Sequence, residues 1–269
     1  MGITKKVWID YRDKIELKEP IAIVGTSGLR SVGKLVVDEL VEKMRPRLFA
    51  ELYSYGFPSV YYGPSYIGAP CGAGVKIEAG SVTELPSVKF YAIKNPKQDI
   101  MIVSGYQAYD PLNQYAVAEK VSDLFNAYHV KKVIALGAQV IEEGIRCCVT
   151  DLELLEEMHK FGVERTNVDR FLGFSGLVVA MGRAKGLKGV CLFASTTQNL
   201  QNSEYPDYNA VTELLEKVSE VVGFEIDTSD LKKRLSKEKM LMDETGMLDE
   251  QQENEETREQ ESDYLRGYV

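Results

Sequence analysis

The chain has 269 residues, 44% of them apolar, and a formal net charge of −9. That length and composition suit one large or two small domains with a full core, and no apolar run reaches the 18 residues a membrane-spanning helix needs. The charge excludes a nucleic-acid surface, which needs clustered Lys and Arg.

The charge is not spread evenly. Residues 243–263 hold ten acids and one base, Arg258, which leaves 31 acids and 31 bases in the rest. This is a neutral body followed by an acidic tail. The start, Met1 to Trp8, lacks the long apolar core of a signal peptide. Cys71, Cys147, Cys148 and Cys191 show no CxxC and no metal-ligand spacing. They read as small core residues in a reducing compartment, so a cytoplasmic location is expected.

Val7, Trp8, Ile9 and Tyr11 predict an edge strand. Ile21-Ala-Ile-Val24 is an apolar run ending at Gly25, the pattern of a strand buried on both faces. Val32, Leu35, Val36, Leu40, Val41 and Met44 then recur at helical spacing. Strand, glycine turn and helix make the usual opening of a doubly wound α/β domain. Gly28 to Lys34 spells most of a phosphate-binding loop, but Leu35 stands where a magnesium-ligating hydroxyl belongs. No later strand ends in the acidic partner, so no ATP hydrolysis is expected. Gly25, Gly28 and Gly33 are read as permitting a tight turn and a close helix–sheet contact.

The helix stops before Pro46, and Leu48–Tyr55 predicts the next strand. Tyr53, Tyr55, Phe57, Tyr61, Tyr62 and Tyr66 put six aromatics into fourteen residues. No basic residue lies between Arg47 and Lys76, which excludes base stacking. The region either enters the core or forms a protein contact, self-association first. Val75–Glu78, Val88–Ile93 and Ile100–Val103 predict a meander, with turns at Ala79-Gly80-Ser81 and Asn95-Pro96-Lys97.

Pro111 opens a helix with Tyr115, Val117, Ala118, Val121, Leu124, Phe125 and Tyr128 on its apolar face. Lys132–Leu136 predicts a buried strand. Asp151 is expected to cap a helix through Met158 and Phe161. Phe174–Lys185 predicts a helix with Ser175 as its N-cap, Gly189–Ala194 a strand and Asp207–Val222 a helix. This alternation supports a mostly parallel sheet with helices on both sides. A last helix is expected over 228–242, capped by Ser229 or Thr228, with Leu231, Leu235 and Leu241 apolar. From Asp243 the sequence is too polar to fold. Tyr264, Leu265, Tyr268 and Val269 then close it.

Catalytic constellations are absent. His129 and His159 sit at helix ends without partners in sequence. Gly173-Phe-Ser175-Gly176 stops short of a nucleophile elbow, because Leu177 replaces its last glycine. No metal or cofactor site is indicated. Ser195-Thr196-Thr197 follows a strand at its carboxyl end, where α/β folds place ligands. One reading is therefore a small-molecule or nucleotide-binding enzyme using the strand ends near Gly25 and Thr196.

The other reading comes from a resemblance. Gly25-x-x-Gly28-x-x-x-x-Gly33, Gly63-Pro64, Gly137-Ala138, Gly173-Phe-Ser-Gly176-Leu and Phe193-Ala-Ser-Thr-Thr, with Tyr205-Pro-Asp207 after it, occur in that order. The chain resembles the archaeal homologues of the proteasome assembly chaperones, formerly labelled ATP-grasp-like, over residues 20–235. The resemblance implies a Rossmann-like three-layer α/β/α domain, like that of nucleoside phosphorylases, without catalytic residues. It implies a ring-like homo-oligomer, tetramer or pentamer, whose flexible tails dock into pockets between α subunits of the proteasome core particle. The docking motif is a hydrophobic residue, Tyr, any residue and a free carboxylate. Tyr268 and Val269 match it; Gly267 stands at the hydrophobic position, with Leu265 nearby. The expected layout is a domain over 1–242, an acidic linker over 243–263 and a docking segment over 264–269. Tyr264, Leu265, Tyr268 and Val269 are the expected partner-binding residues, and the aromatic region from Tyr53 to Tyr66 is the expected oligomer interface.

Overall fold

A computed structural model describes residues 6–57, 60–62, 71–73, 76–78, 82–105, 111–168, 173–197 and 205–236. The chain divides into two units, Met1–Ile226 and Asp227–Val269. The first begins with β1 (Val7–Tyr11), β2 (Ile21–Thr26), a 3-10 turn (Leu29–Ser31) and α1 (Val32–Met44). Then come β3 (Arg47–Ser54), β4 (Val60–Tyr62), β5 (Cys71–Ala73), β6 (Lys76–Glu78), β7 (Val82–Glu84), β8 (Val88–Ile93) and β9 (Ile100–Gly105). After α2 (Pro111–Ala127) follow β10 (Lys132–Gln139), β11 (Ile145–Val149), α3 (Leu152–His159) and β12 (Glu164–Arg165). The unit closes with α4 (Phe174–Ala184), β13 (Gly189–Ser195) and α5 (Tyr208–Val222).

Nine strands form one mixed sheet in the order β1-β3-β8-β9-β2-β10-β13-β11-β12. Its centre, β9-β2-β10-β13, is parallel. Every residue of β2 and β9 is buried, as a strand covered on both faces requires. Helices α2 and α4 pack together over one face; α1 and α5 pack together over the other. Ala22, Val24, Met101, Val103, Val117, Val121, Phe174 and Val178 share the α2/α4 core. The intervening Ile23 and Ile102, also buried, point to the α1 side by strand alternation.

The expected three-layer α/β/α architecture is observed, with corrections in detail. The sheet is less parallel than the alternation of elements implied: β1, β3, β8 and β11 add antiparallel pairs at its two sides. The turn at residues 95–97 does join an antiparallel pair, β8 and β9. Among the described residues, however, Lys76–Glu78 pairs with β7 alone, as a separate ribbon outside the meander. Strand β11 is not announced by the sequence pattern. It is five residues long, and only Cys147 in it is buried, so it lacks the apolar alternation by which strands are read. Tyr115 is exposed rather than on the apolar face of α2.

In the second unit residues 229–236 are helical. The helix starts at Ser229 and the Thr228 carbonyl accepts from the Lys232 N–H at 3.1 Å, so Thr228, one of the two expected caps, stands at the N-cap position. The Asp227 carboxylate, one residue before it, accepts from the Ser229 N–H (2.9 Å) and from its hydroxyl (3.0 Å). Leu241 and the tail from Asp243 to Val269 lie outside the described residues. Among the described residues no helix is long and apolar enough to cross a membrane.

Gly25 and Gly33 stand at a close helix–sheet contact, and Gly28 does not. A Cβ on Gly25 would lie 2.1 Å from the Gly33 carbonyl oxygen and 2.4 Å from Val37 Cγ2. A Cβ on Gly33 would lie 2.3 Å from the Leu136 carbonyl oxygen. Backbone meets backbone across β2, α1 and β10 with no room for a methyl. Gly28 has nothing within 4 Å and extended backbone at φ −169°. Gly33→Ala is expected to lower unfolding free energy in urea by roughly 2–4 kcal/mol, because the clash is with backbone that cannot yield. Gly28→Ala should stay within about 0.5 kcal/mol of the parent.

Candidate functional site

The carboxyl ends of β2, β10 and β13 and the amino ends of α1 and α4 meet on one side of the sheet. Two side-chain networks organise this region. The first is built on Asp207, which caps α5 by accepting from the Ala210 N–H at 3.1 Å. Its other oxygen accepts from the Thr196 hydroxyl at 2.5 Å and pairs with Arg30 at 3.3 Å. Arg30 also donates to the carbonyls of Tyr205 (2.9 Å) and Pro206 (3.0 Å) and to the Thr197 hydroxyl (3.4 Å). Arg30 and Ser31 both have left-handed backbone, with φ 49° and 52°. Such backbone in a non-glycine residue costs of order 1 kcal/mol and persists only when surroundings fix it. Four contacts on one guanidinium supply that fixing.

Two residues picked from the sequence lie in this region. Thr196 is 4% exposed and its hydroxyl is committed to Asp207. Gly25 is closed over by Gly33 and Val37. Lys34, at the lysine position of the partial phosphate loop, donates to both oxygens of Asp38 (2.6 and 2.5 Å). The Asp38 carboxylate also accepts from Ser104 at 3.2 Å. The lysine therefore lies along its own helix, one turn on.

The second network lines a cleft of about 1220 Å³ bounded by Thr26, Ser27, Gly28, Gln139, Arg146, Gly173, Ser175 and Phe193, among others. Ser175 is not the N-cap expected from the sequence. Gly173 holds that position, with no side-chain cap. The Ser175 hydroxyl instead shares a 3.2 Å hydrogen bond with the Thr26 hydroxyl, joining α4 to β2. Gln139 closes β10. Its Oε1 accepts from the Thr166 hydroxyl at 2.6 Å, and that hydroxyl accepts from the Val168 N–H at 3.2 Å. Arg146 pairs with Glu164 across β11 and β12. Of this set Ser175, Phe193 and the glycines were marked by the sequence. Gln139 and Thr166 are 27 positions apart and in no motif; strand pairing alone brings them together.

The thiols form a third cluster. Cys148 lies opposite Cys191 across β11 and β13. Cys147, Cys148 and Cys191 are all free, the first and last fully buried, as expected for core cysteines. The Cys191 hydrogen bond lowers the Cys148 thiol and burial opposes it. Cys71 lies in β5. Among the described residues no cluster of His, Cys, Asp or Glu could hold a metal. His129 follows the end of α2 and His159 ends α3; both are exposed.

The aromatic region splits. Phe57 is 5% exposed and part of the core. Tyr53 stacks on Trp8 of β1, with ring centroids 5.5 Å apart, and Tyr55 meets the same ring edge-on at 5.4 Å. Tyr55 remains 65% exposed. Tyr61 and Tyr62 belong to β4. Tyr66 and the tail residues Tyr264, Leu265, Tyr268 and Val269 lie outside the described residues.

The pattern of the PAC2 family matches residues 22–245. The chain belongs to the PAC2 family. Among solved structures, it is similar to PbaB of Pyrococcus furiosus, described as an archaeal proteasome activator. That likeness has a TM-score of 0.76 at 26% identity and covers 90% of this chain and 99% of the other. PbaA of the same organism, described as an archaeal homologue of proteasome-assembly chaperone, aligns with a TM-score of 0.67 and 20% identity over 86% of this chain and 92% of the other. The uncharacterized protein MJ1210 of Methanocaldococcus jannaschii is 28% identical over 238 residues, 86% of this chain and 83% of its own length.

Two outcomes test the networks. Asp207→Ala removes a helix cap, a buried hydroxyl bond and the anchor of a left-handed arginine. A loss of about 2–4 kcal/mol in urea unfolding is expected, against under 1 kcal/mol for the exposed Glu213→Ala. Burial, and next the neighbouring Cys148, push the Cys147 thiol from an ordinary 9.0 to about 11. The fold favours its neutral form. That stabilisation is complete below pH 9 and is lost as pH rises to about 11, at roughly 1.4 kcal/mol per pH unit. The urea midpoint should fall over that window, and more shallowly in Cys147→Ala.

Proposed function

We propose that this protein is a non-enzymatic proteasome assembly chaperone or activator that engages the α ring of the core particle. The observation that carries the reading is the likeness to PbaB, 26% identical and matched over 99% of that chain. A body that superposes this completely on a proteasome activator can present contacts in the same arrangement. Two features of the site favour a role without turnover. The lysine of the partial phosphate loop is held by Asp38, and the strand-end threonine Thr196 is held by Asp207.

The finer part of the proposal concerns the tail and the aromatic region. Residues 243–263 act as a self-repelling linker whose ends lie roughly 25 Å apart or more. Tyr264, Leu265, Tyr268 and Val269 are then the docking segment. Tyr268 supplies a rigid ring with a hydroxyl, and a single short peptide binds weakly because ordering it costs entropy. Several copies on one homo-oligomer raise the avidity by about 10²–10⁴ where the spacing matches the pockets. Tyr55, exposed beside Trp8, is the described residue of the aromatic region best placed for that self-association.

Capture of proteasome α-ring complexes by the purified protein tests the reading. Full-length protein is expected to capture them; Tyr268→Ala and a chain lacking 264–269 are expected to lose capture while keeping the multimer size seen by light scattering. Equal capture by all three would move the docking surface to the folded body. No capture by any of them would overturn the proteasome reading.

A further inference from the structure

We propose that Cys148 and Cys191 form a peroxide-oxidation site, a thiol pair that closes into a reversible disulfide between β11 and β13. The pair is set by strand register. Cys148 lies directly opposite Cys191 in the antiparallel ladder of the two strands. Thr150 N–H donates to the Gly189 carbonyl and Ser195 N–H to the Gly144 carbonyl, each at 2.9 Å. Counting in steps of two from either end, Cys148 and Cys191 fall among the hydrogen-bonded pairs of the ladder, whose Cα atoms lie about 5.5 Å apart. A disulfide most often spans a Cα separation of about 5.5–6 Å. Backbone and bridge therefore fit without a change of register.

The two sulfurs also share a face and differ in access. Cys191 is 1% exposed within the α2/α4 core, and the half-buried Cys148 packs against that core. Cys147, next in sequence, points to the other face by strand alternation, and burial pushes its thiol up to about 11. A hydrogen bond from the Cys191 thiol holds the Cys148 thiol below its ordinary value, while that bond and burial hold Cys191 well above its own. The chemistry divides accordingly: Cys148 is the reachable thiolate and Cys191 the second thiol waiting behind it.

The Cys148 thiolate attacks one oxygen of hydrogen peroxide. The S–O bond forms, the O–O bond breaks, and the leaving hydroxide takes a proton to become water, so that Cys148 is a sulfenic acid. Cys191 Sγ then attacks Cys148 Sγ. The S–S bond forms, the S–O bond breaks, and the hydroxide leaves with the Cys191 proton as a second water. Two thiols have lost two electrons and two protons, and one peroxide has become two waters. Directly opposed Cβ atoms in a ladder lie about 4.5–5.5 Å apart, against about 3.8 Å in a disulfide, so β11 must close on β13 by about 1 Å. On its other side β11 pairs with β12 through two residues among the described residues, so little of the sheet opposes that move. A bridge closed under such strain is easily reduced, which makes it a link that opens and closes rather than a permanent staple. The pair lies on the folded body and is independent of the proposed proteasome docking.

The test is oxidation of the native full chain with a small molar excess of hydrogen peroxide, stopped with catalase. The chain is then unfolded in urea with N-ethylmaleimide present and mapped by peptide mass spectrometry. Cys148 and Cys191 are expected to lose most of their alkylation and to appear as one intrachain cross-linked peptide, while Cys147 stays alkylated. Dithiothreitol added before unfolding should restore alkylation of both. In Cys191→Ser, Cys148 should stop at the sulfenic acid and take dimedone; in Cys148→Ser, Cys191 should stay fully alkylated. Cys147→Ser should cross-link as the parent does. The parent map alone decides the matter if Cys191→Ser, at a buried position, fails to fold. Both thiols still alkylated after peroxide, a link through Cys71 or Cys147 or between chains, or oxidation of Cys148 past the sulfenic acid with Cys191 untouched overturns the pair.

Discussion

The contact on which the site depends is the one made by two glycines. Gly25 ends the apolar part of β2, and Gly33 sits in the first turn of α1, and neither tolerates a methyl group. Because α1 lies directly on β2 and on the Leu136 carbonyl of β10, the chain must reverse within Ser27 to Ser31. That reversal drives Arg30 and Ser31 into left-handed backbone. Arg30 then projects toward Asp207, and one guanidinium ties the first crossover to the cap of the last helix of the unit. A sequence separation of 177 residues is bridged by that pair. Packing at a glycine pair thus sets the geometry of a salt bridge far along the chain.

The same constraint explains why a near-complete phosphate loop is not one. A phosphate loop needs its N–H groups and lysine turned toward a common point. Here close packing of α1 on the sheet lets Lys34 run along the helix, to an i,i+4 aspartate. Glycine spacing alone does not distinguish the two outcomes; what does is where the flanking polar side chains find partners.

Most of the central fold was legible because burial on both faces leaves a strong mark. Ile21–Val24, Ile100–Val103, Lys132–Leu136 and Gly189–Ala194 are apolar runs, and each is a strand of the parallel centre. Helix α5 and its cap Asp207 were readable from one amphipathic pattern and one capping aspartate. The edges were less legible. Strand β11 carries Arg146 and two cysteines and draws its order from pairing with β13, a long-range cause that local pattern does not record. The site was legible only in part. Ser175 stood out for its glycines, but its role came from Thr26, 149 positions away. Gln139 and Thr166 carry no motif, so nothing short of the sheet register could bring them forward.

The family pattern stops at residue 245, just inside the acidic segment that begins at Asp243. The run from 246 to 269 falls outside that match. This divides the functional argument in two. Kinship with proteasome activators is carried by the sheet, its helices and the glycine contact beneath them. The proposed docking through Tyr268 would rest on a short peptide and on multivalency, which depends on how many bodies assemble and how far apart they hold their tails.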